Sequence, residues 1–456
     1  MGWVIPVGIV LAVPAMVTVV RYPFLGLSLW LLVAPFLMTT ETVGGRKVYW
    51  IIHRALPPAT VAIIAFWARH KIDRRSLSRL GWPELAMATY VLASLVSIVL
   101  LHRDPLATAY LFYDRVFSPM CLYMLVRLWN PDEKDLRRLM PVVLFLAASQ
   151  SLIGILSWIA PQYLPAAWLE KQGARTIGTL VNPSVYTVTL LFSGGILVHA
   201  AYARKPGTFR FLFGGTAALA FGCVFLSLSR ASWLAGLVVL AGLACCYPRQ
   251  LARLSVVTLL GVLIVGGLFL PDLSTLASER FLSDQSERSA LSRLPVYLAG
   301  FRMFLAKPLY GWGYGNFDRY DQQFQGRVAG IADDNKDHAS HNFYLTLLAE
   351  QGILGFVLFL FPAVCWLLRS RARNFLYVAG GERENRKLLT ILWFSIVTHI
   401  VVNNFSNMRV PFGLGLWWAS LGLIAALITR DGRQGRPGSR DAERFRIRIA
   451  YTGPEE

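Results

Sequence analysis

The chain has 456 residues, of which 55% are hydrophobic and 16% charged, and its net charge is +19. That much apolar surface exceeds what a single water-soluble core buries, and the apolar runs lack the apolar/polar alternation of barrel strands, which leaves helices crossing a membrane. The basic residues sit in short clusters between the apolar runs, the pattern of cytoplasmic loops rather than of a nucleic-acid-binding surface.

Runs near the ~20 residues that a crossing helix needs recur along the whole chain. Met1 to Val20 lacks the basic start of a cleavable signal and reads as a retained first span. Thirteen candidate segments follow in order: Trp3–Val20, Phe24–Thr39, Leu56–Trp67, Glu84–Leu101, Leu106–Trp129, Leu139–Ala160, Ser184–Ala203, Phe211–Leu228, Trp233–Tyr247, Leu254–Leu270, His341–Leu368, Leu388–Val402 and Phe412–Ile428. The five cysteines fall in or at the ends of these runs, which argues against a disulfide framework.

Lys/Arg clusters mark cytoplasmic loops after Trp67, around Lys134–Arg138, Arg204–Arg210, Arg249–Arg253 and Arg369–Lys387, and the tail from Arg430 is also basic. These loops alternate correctly from Glu84 onward. The first two segments are short and contain Pro14, Pro23 and Pro35, so they are expected to make one crossing together. The expected fold is an all-α polytopic bundle of about twelve spans with both ends cytoplasmic. It divides into helices over 1–270, a large periplasmic loop over 271–340, C-terminal spans over 341–430 and a cytoplasmic tail over 431–456. Within the loop, Leu291, Leu294, Leu298, Phe301 and Leu305 predict a membrane-apposed helix over Ser289–Leu305. The stretch KPLYGWGYGNF then reads as a glycine-punctuated turn.

Ionisable residues at the edges of spans are the candidates for chemistry, because burying them is costly. Arg175, Arg230, Arg288, Arg293 and Arg302 gather on the outer side against the charge bias. Singly, each reads as a snorkelling side chain. Together they suit a phosphorylated, lipid-borne substrate, whose oxygens a guanidinium grips in two places.

His338 and His341 close the loop. Ser340 is expected to cap the following helix and His341 to open it, where the positive end of the dipole disfavours an imidazolium. A proton-accepting imidazole and a histidine merely hydrogen-bonded at a helix start are both open readings at this point. Glu350 lies nine positions on, on the opposite face, and is expected to bond another helix. Gly352 and Gly355 would let that helix pack closely on a neighbour. Asp333, Asn335 and Asp337 imitate the start of a calcium loop, but His338 and Tyr344 replace the glycine and glutamate that such a loop needs. No cofactor is expected, and no phosphate-binding loop of the ATPase type is present.

HNFYLTLLAEQGILG is similar to the signature of the O-antigen ligase and polymerase superfamily, with its His-Asn pair at the end of a large loop. SRASWLAG resembles the family's Ser-Arg element, GTLVNPSVYT its Gly-Thr-x-x-Asn-Pro element, and RLPVYLAGFRMFLAKPLYGWGYGNF its Pro-x-x-Gly-x-Gly segment. Ser184 stands where the family often has a second asparagine. The matches run in order from about Arg175 to Leu360.

The resemblance implies a metal-independent, inverting glycosyltransferase of a bacterial inner membrane, with its site facing the periplasm. The donor would be a glycan on undecaprenyl pyrophosphate. His341 would be the base and Arg175, Arg230 and Arg293 would hold the pyrophosphate, with Arg288 a neighbouring candidate and His338, Asn342 and Glu350 in support. The acceptor would be lipid A-core in a ligase, a second lipid-linked repeat in a polymerase, or a protein hydroxyl. A lipid-linked oligosaccharide transporter is a reading of another class. It predicts charges deep in several spans, whereas the sequence places them at the outer rim.

Overall fold

The computed structural model describes residues 17–40, 42–67, 80–170, 175–203, 207–269, 293–325, 340–377, 383–406 and 409–434. Arg288, His338 and the calcium-like Asp333–Asp337 stretch lie outside them, as does most of the first candidate span. Every named element is helical, and β pairing among the described residues is confined to one bridge between Leu169 and Thr176.

The elements in chain order are α1 (Leu25–Leu37), α2 (Val43–Tyr49), a π-helical turn (Trp50–Ala55), α3 (Leu56–Trp67), α4 (Trp82–Leu101) and α5 (Pro105–Phe112). A second π-helical turn (Tyr113–Phe117) leads into α6 (Ser118–Trp129), followed by α7 (Glu133–Ile159), α8 (Pro183–Tyr202), α9 (Thr208–Phe225), α10 (Arg230–Cys246) and α11 (Pro248–Phe269). Two short helices, α12 (Leu294–Ala306) and α13 (Phe317–Phe324), precede α14 (Phe343–Tyr377), α15 (Arg383–Asn403) and α16 (Pro411–Gln434). The chain is thus an all-α polytopic bundle. Among the described residues eight helices are long and apolar enough to cross a membrane, with α1 and α10 shorter but apolar.

Two boundaries differ from expectation. The third span begins at Val43 rather than Leu56, because the π turn carries His53 and Arg54 through without breaking the helix. The loop helix is described over Leu294–Ala306, with Pro295 in its first turn, where a missing N–H costs nothing. α1 starts just after Pro23, and most of the segment expected to join it in one crossing lies outside the described residues.

α8 and α16 form the centre of the bundle and are almost wholly buried. Burial of hydroxyls is tolerated there because they bond their own helix: Thr189 donates to the Val185 carbonyl at 2.8 Å and Ser193 to Thr189 at 2.6 Å. Small residues allow the close approach that holds helices together without water to drive them. At Gly422, an added Cβ would lie 2.9 Å from Val126.

The bundle has two chemically distinct ends. At the end with the basic loops, Tyr22 donates to Asp135, Trp129 donates to the same carboxylate at 2.9 Å, and Tyr247 bonds Glu384 at 3.1 Å. The other end gathers Leu101, Ile159, the 175–182 segment, Leu226–Arg230, the glycine turn 308–316, the start of α14 and the loop before α16. Their mutual contacts, described next, place them together.

Candidate functional site

The site is built around a helix that breaks. Gly352 has φ +63° and ψ −167°, so α14 is two helices, Phe343–Gln351 and a longer one beyond. An added Cβ at Gly352 would sit 2.4 Å from the Leu309 carbonyl carbon, and at Gly311 2.4 Å from the Glu350 carbonyl carbon, so backbone touches backbone on both sides. The glycine turn repairs the break. Trp312 and Gly313 donate their N–H groups to Ala349 and Glu350 at 3.0 and 2.7 Å, while Ile353 and Leu354 donate to Pro308 and Leu309 at 2.8 and 3.2 Å. Irregular backbone within a membrane bundle persists only where protein satisfies it in this way.

Glu350 locks the junction. Its carboxylate accepts the N–H groups of Gly315 at 2.9 Å and Phe317 at 3.1 Å, and both terminal guanidinium nitrogens of Arg409, one of them at 3.1 Å. Glu350 is 1% exposed, so its charge depends on these donors. Burial by itself works against the charged form of Arg409, but the Glu350 carboxylate outweighs it and raises the pKa of the guanidinium. Glu350 thus bonds another helix as expected, through the Phe317 N–H that opens α13, and in addition a turn and a loop. Gly352 and Gly355 are likewise not a packing face: Gly352 is the break, and Gly355 lies against Gln351 of the preceding turn.

At the other end of the short helix, the N-cap is Asn342, not Ser340. Its side-chain oxygen accepts the Leu345 N–H at 3.0 Å and its carbonyl the Thr346 N–H at 3.1 Å. His341 does not open the helix either. It precedes the cap with φ +50°, a left-handed residue that points the chain sharply into the helix start. Ser340 is buried and bonds Thr346, tying the approach to the first turn.

α12 lies alongside this helix in the same direction: Gly300 faces Leu345, further along Pro308 and Leu309 accept from Ile353 and Leu354, and Val296, Met303 and Ala349 cluster with Phe317. Arg293 caps α12, which puts it at the end of that pair nearer His341. Its side chain bonds Tyr297. Burial raises the Tyr297 pKa, and the Arg293 charge and hydrogen bond oppose that shift.

Arg175 and Arg230 form a second pairing of segments. Thr176 donates its N–H to the Leu226 carbonyl at 3.3 Å, and Thr187 on α8 donates to Ser232 on α10 at 2.8 Å. The Arg175 segment is pinned from below, with Trp158 bonding Thr176 at 2.7 Å and Gln150 bonding Thr179 at 2.9 Å. Arg175 itself is 3.8 Å from Glu170. Arg230 is the first residue of α10 rather than part of a loop, and is exposed.

The two pairings meet across the end of α15. Tyr344 bonds Asn403, the last residue of α15, and α15 runs along α10 with Phe394 over Gly242. Arg175, Arg230, Arg293 and His341 thus stand at one end of the bundle. Four non-glycine residues have positive φ among the described residues, and Val181, Leu228 and His341 lie on the segments that carry these candidates. Such strain collects where surrounding structure holds a functional geometry.

Sequence reasoning missed Arg409. The signal was the same one that singled out the others, an arginine in a short loop on the outer side. It also missed charges deeper in the bundle. Arg54 donates to Asp114 at 2.6 Å between the two π turns, so charged residues are not confined to the rim as expected.

Residues 215–360 match a family model described as O-antigen ligase. No curated protein matches the chain.

Proposed function

We propose that this chain, a member of the O-antigen ligase superfamily, transfers a glycan from an undecaprenyl-pyrophosphate carrier to an acceptor hydroxyl at the periplasmic face of the inner membrane. One observation carries the reading: the stretch similar to O-antigen ligases contains Arg230, Arg288, Arg293 and His341, and the three that are described gather at one end of the bundle.

In this reading His341 accepts the proton of the acceptor hydroxyl. The hydroxyl oxygen bonds to the anomeric carbon as the bond to the pyrophosphate oxygen breaks, so configuration inverts and undecaprenyl pyrophosphate leaves. Arg230, Arg293 and Arg175 hold that pyrophosphate and stabilise its growing charge, a role that preorganised guanidinium groups perform without a metal ion. Glu350 and Asn342 act at one remove. Asn342 fixes the start of the helix that presents His341, and Glu350 fixes its end against the glycine turn.

The experiment is a purified transfer assay with lipid-linked donor and, in parallel, lipid A-core, a second lipid-linked repeat or a protein acceptor. His341→Ala and Arg230→Ala are expected to abolish transfer while the protein stays inserted and abundant. Full transfer by His341→Ala removes the histidine as base. The acceptor that is consumed separates ligase from polymerase and from protein glycosylation.

A second reading is favoured by the Arg54–Asp114 pair, since charges within spans mark pathways. A lipid-linked oligosaccharide transporter would move the labelled donor between leaflets of a vesicle without cleaving it.

A further inference from the structure

A cavity of about 270 Å³ lies at the basic end of the bundle, between the last turn of α10 and the first turns of α15. Cys245 and Cys246 line it from α10, and Arg386, Lys387 and Thr390 from α15. Arg230 stands at the other end of α10, ~24 Å along the helix at ~1.5 Å per residue, so the cavity is separate from the site built by Arg175, Arg230 and Arg293.

Direct contacts hold its walls together. The Cys246 thiol donates to the Lys387 carbonyl at 3.8 Å, which joins the two helices at the cavity itself. Tyr247, the next residue, donates to Glu384 at 3.1 Å and bonds His199 of α8 at 2.8 Å. Lys387 donates to the same Glu384 at 2.7 Å, and its ammonium stands 4.6 Å from the centre of the Tyr247 ring. Lys387 is therefore a fixed charge in the wall. Arg386 both lines the cavity and is exposed, so it meets a ligand arriving from the membrane surface.

Among the described residues, the charged groups that line the cavity are both cationic, and a hydroxyl and two thiols stand beside them. That lining suits an oxyanion, whose oxygens a guanidinium grips in two places. Size narrows the choice. Pockets for drug-sized molecules run from ~300 to 1,000 Å³, so this one takes a phosphate with its polar substituent and leaves no room for a hydrocarbon tail. The tail has a place outside: Leu234, Leu237, Ala241 and Cys245 are exposed within an arc of roughly 100° on α10, a strip that runs along the span and ends at the cavity. Basic pockets between helices on the side of the Lys/Arg-rich loops are where anionic headgroups dock.

We propose that this cavity binds the headgroup of an anionic phospholipid from the leaflet at the basic end. Arg386 grips the phosphate, Lys387 adds its fixed charge, and an acyl chain lies along the α10 strip. The bound lipid joins α10 to α15 at the end opposite Arg230. The test reads binding, so the site stands or falls apart from the transfer reaction.

The purified full-length protein in detergent would be titrated with short-chain phosphatidylglycerol, with phosphatidylcholine of the same chains, and with glycerol phosphate. Phosphatidylglycerol is expected to bind most tightly, and Arg386→Gln to weaken it at least fivefold. Arg137→Gln removes a cation of the same end from α7, outside the cavity wall, and should leave the affinity within twofold. Equal weakening by the two variants overturns the proposal, because the attraction is then to the general charge of that end. Equal affinity for the two lipids overturns it as well, and so does glycerol phosphate binding as tightly as phosphatidylglycerol. Should Arg386→Gln fail to fold, Cys245 decides on the unaltered chain: phosphatidylglycerol is expected to slow its alkylation by a maleimide, followed by peptide mass spectrometry, and an unchanged rate at saturating lipid overturns the site.

Discussion

Each end of the bundle buries a glutamate against an arginine, and the two pairs rest on opposite kinds of backbone. At the basic end Glu84 sits in the first turn of α4. It accepts the Gly81 N–H at 2.7 Å, the Tyr123 hydroxyl at 2.6 Å and Arg127 at 3.2 Å, all from regular or properly capped helices. At the site end Glu350 takes its partners from a turn some thirty-five residues earlier and a loop some sixty residues later, beside a helix that has come apart. The backbone strain divides the same way. The left-handed residue at the basic end is Asn130, which terminates α6 in the conformation where asparagine is tolerated. At the site end Val181 and Leu228 hold positive φ with no such local excuse, beside His341. One end uses a buried ion pair to finish ordinary helices, and the other uses it to hold an unusual geometry in place.

The harshest way to break that contrast is to add one carbon. Gly352→Ala puts a methyl group 2.4 Å from the Leu309 carbonyl at a φ that alanine resists, with an expected loss of more than about 3 kcal/mol. Thermal unfolding of the purified protein should fall sharply and transfer should vanish. Gly81→Ala, whose nearest neighbour would be 3.9 Å away at an ordinary φ, should unfold close to the unaltered protein. Equal behaviour of the two would mean that the break carries no special constraint.

Next in size are the two glutamates. Glu350→Gln and Glu84→Gln each remove a buried carboxylate that an arginine bonds, and the loss expected for either is ~3–5 kcal/mol. Their stabilities should therefore fall alike. Transfer per folded molecule, after size-exclusion removes aggregates, should fall only in Glu350→Gln, because only that carboxylate fixes the helix that presents His341. Parallel activity in the two variants would reduce the Glu350–Arg409 pair to a structural fastening.

What the sequence revealed follows the range of the forces involved. Helices were legible from apolar runs, since a membrane leaves the backbone no other way to bond. The basic clusters were legible as one end of the bundle for the same reason, because charge is placed by the bilayer and not by distant contacts. Gly352 was misread because a glycine after LLAEQ suits helix packing as well as helix breaking. What decides is the backbone of Pro308 and Leu309, more than forty residues earlier. His341 was two steps from its true place: Ser340 and Asn342 are both good caps, and the order of residue types does not say which of them takes the free N–H of the first turn. Arg409 went unremarked since an arginine's partner is set by folding, and the π turns that bring His53 and Arg54 to Asp114 have no signature in the order of residue types.

The smallest effect tests whether the strain at the site end is real cost. Val181 has φ +67°, a conformation that a β-branched side chain resists and glycine accepts, yet its side chain is half exposed and little packing is lost on removing it. Val181→Gly should therefore stabilise the protein by ~1 kcal/mol, net of the flexibility that glycine adds to the unfolded chain. Asn130→Gly, at a helix end that already suits asparagine, should change stability by only a few tenths of a kcal/mol. Should the gain at 181 come with slower transfer, the strained loop between Arg175 and α8 is holding Arg175 for its task. Should Val181→Gly instead destabilise as much as an average core substitution, the left-handed backbone there is stabilised by packing that outweighs its torsional cost, and the contrast between the two ends narrows to the broken helix alone.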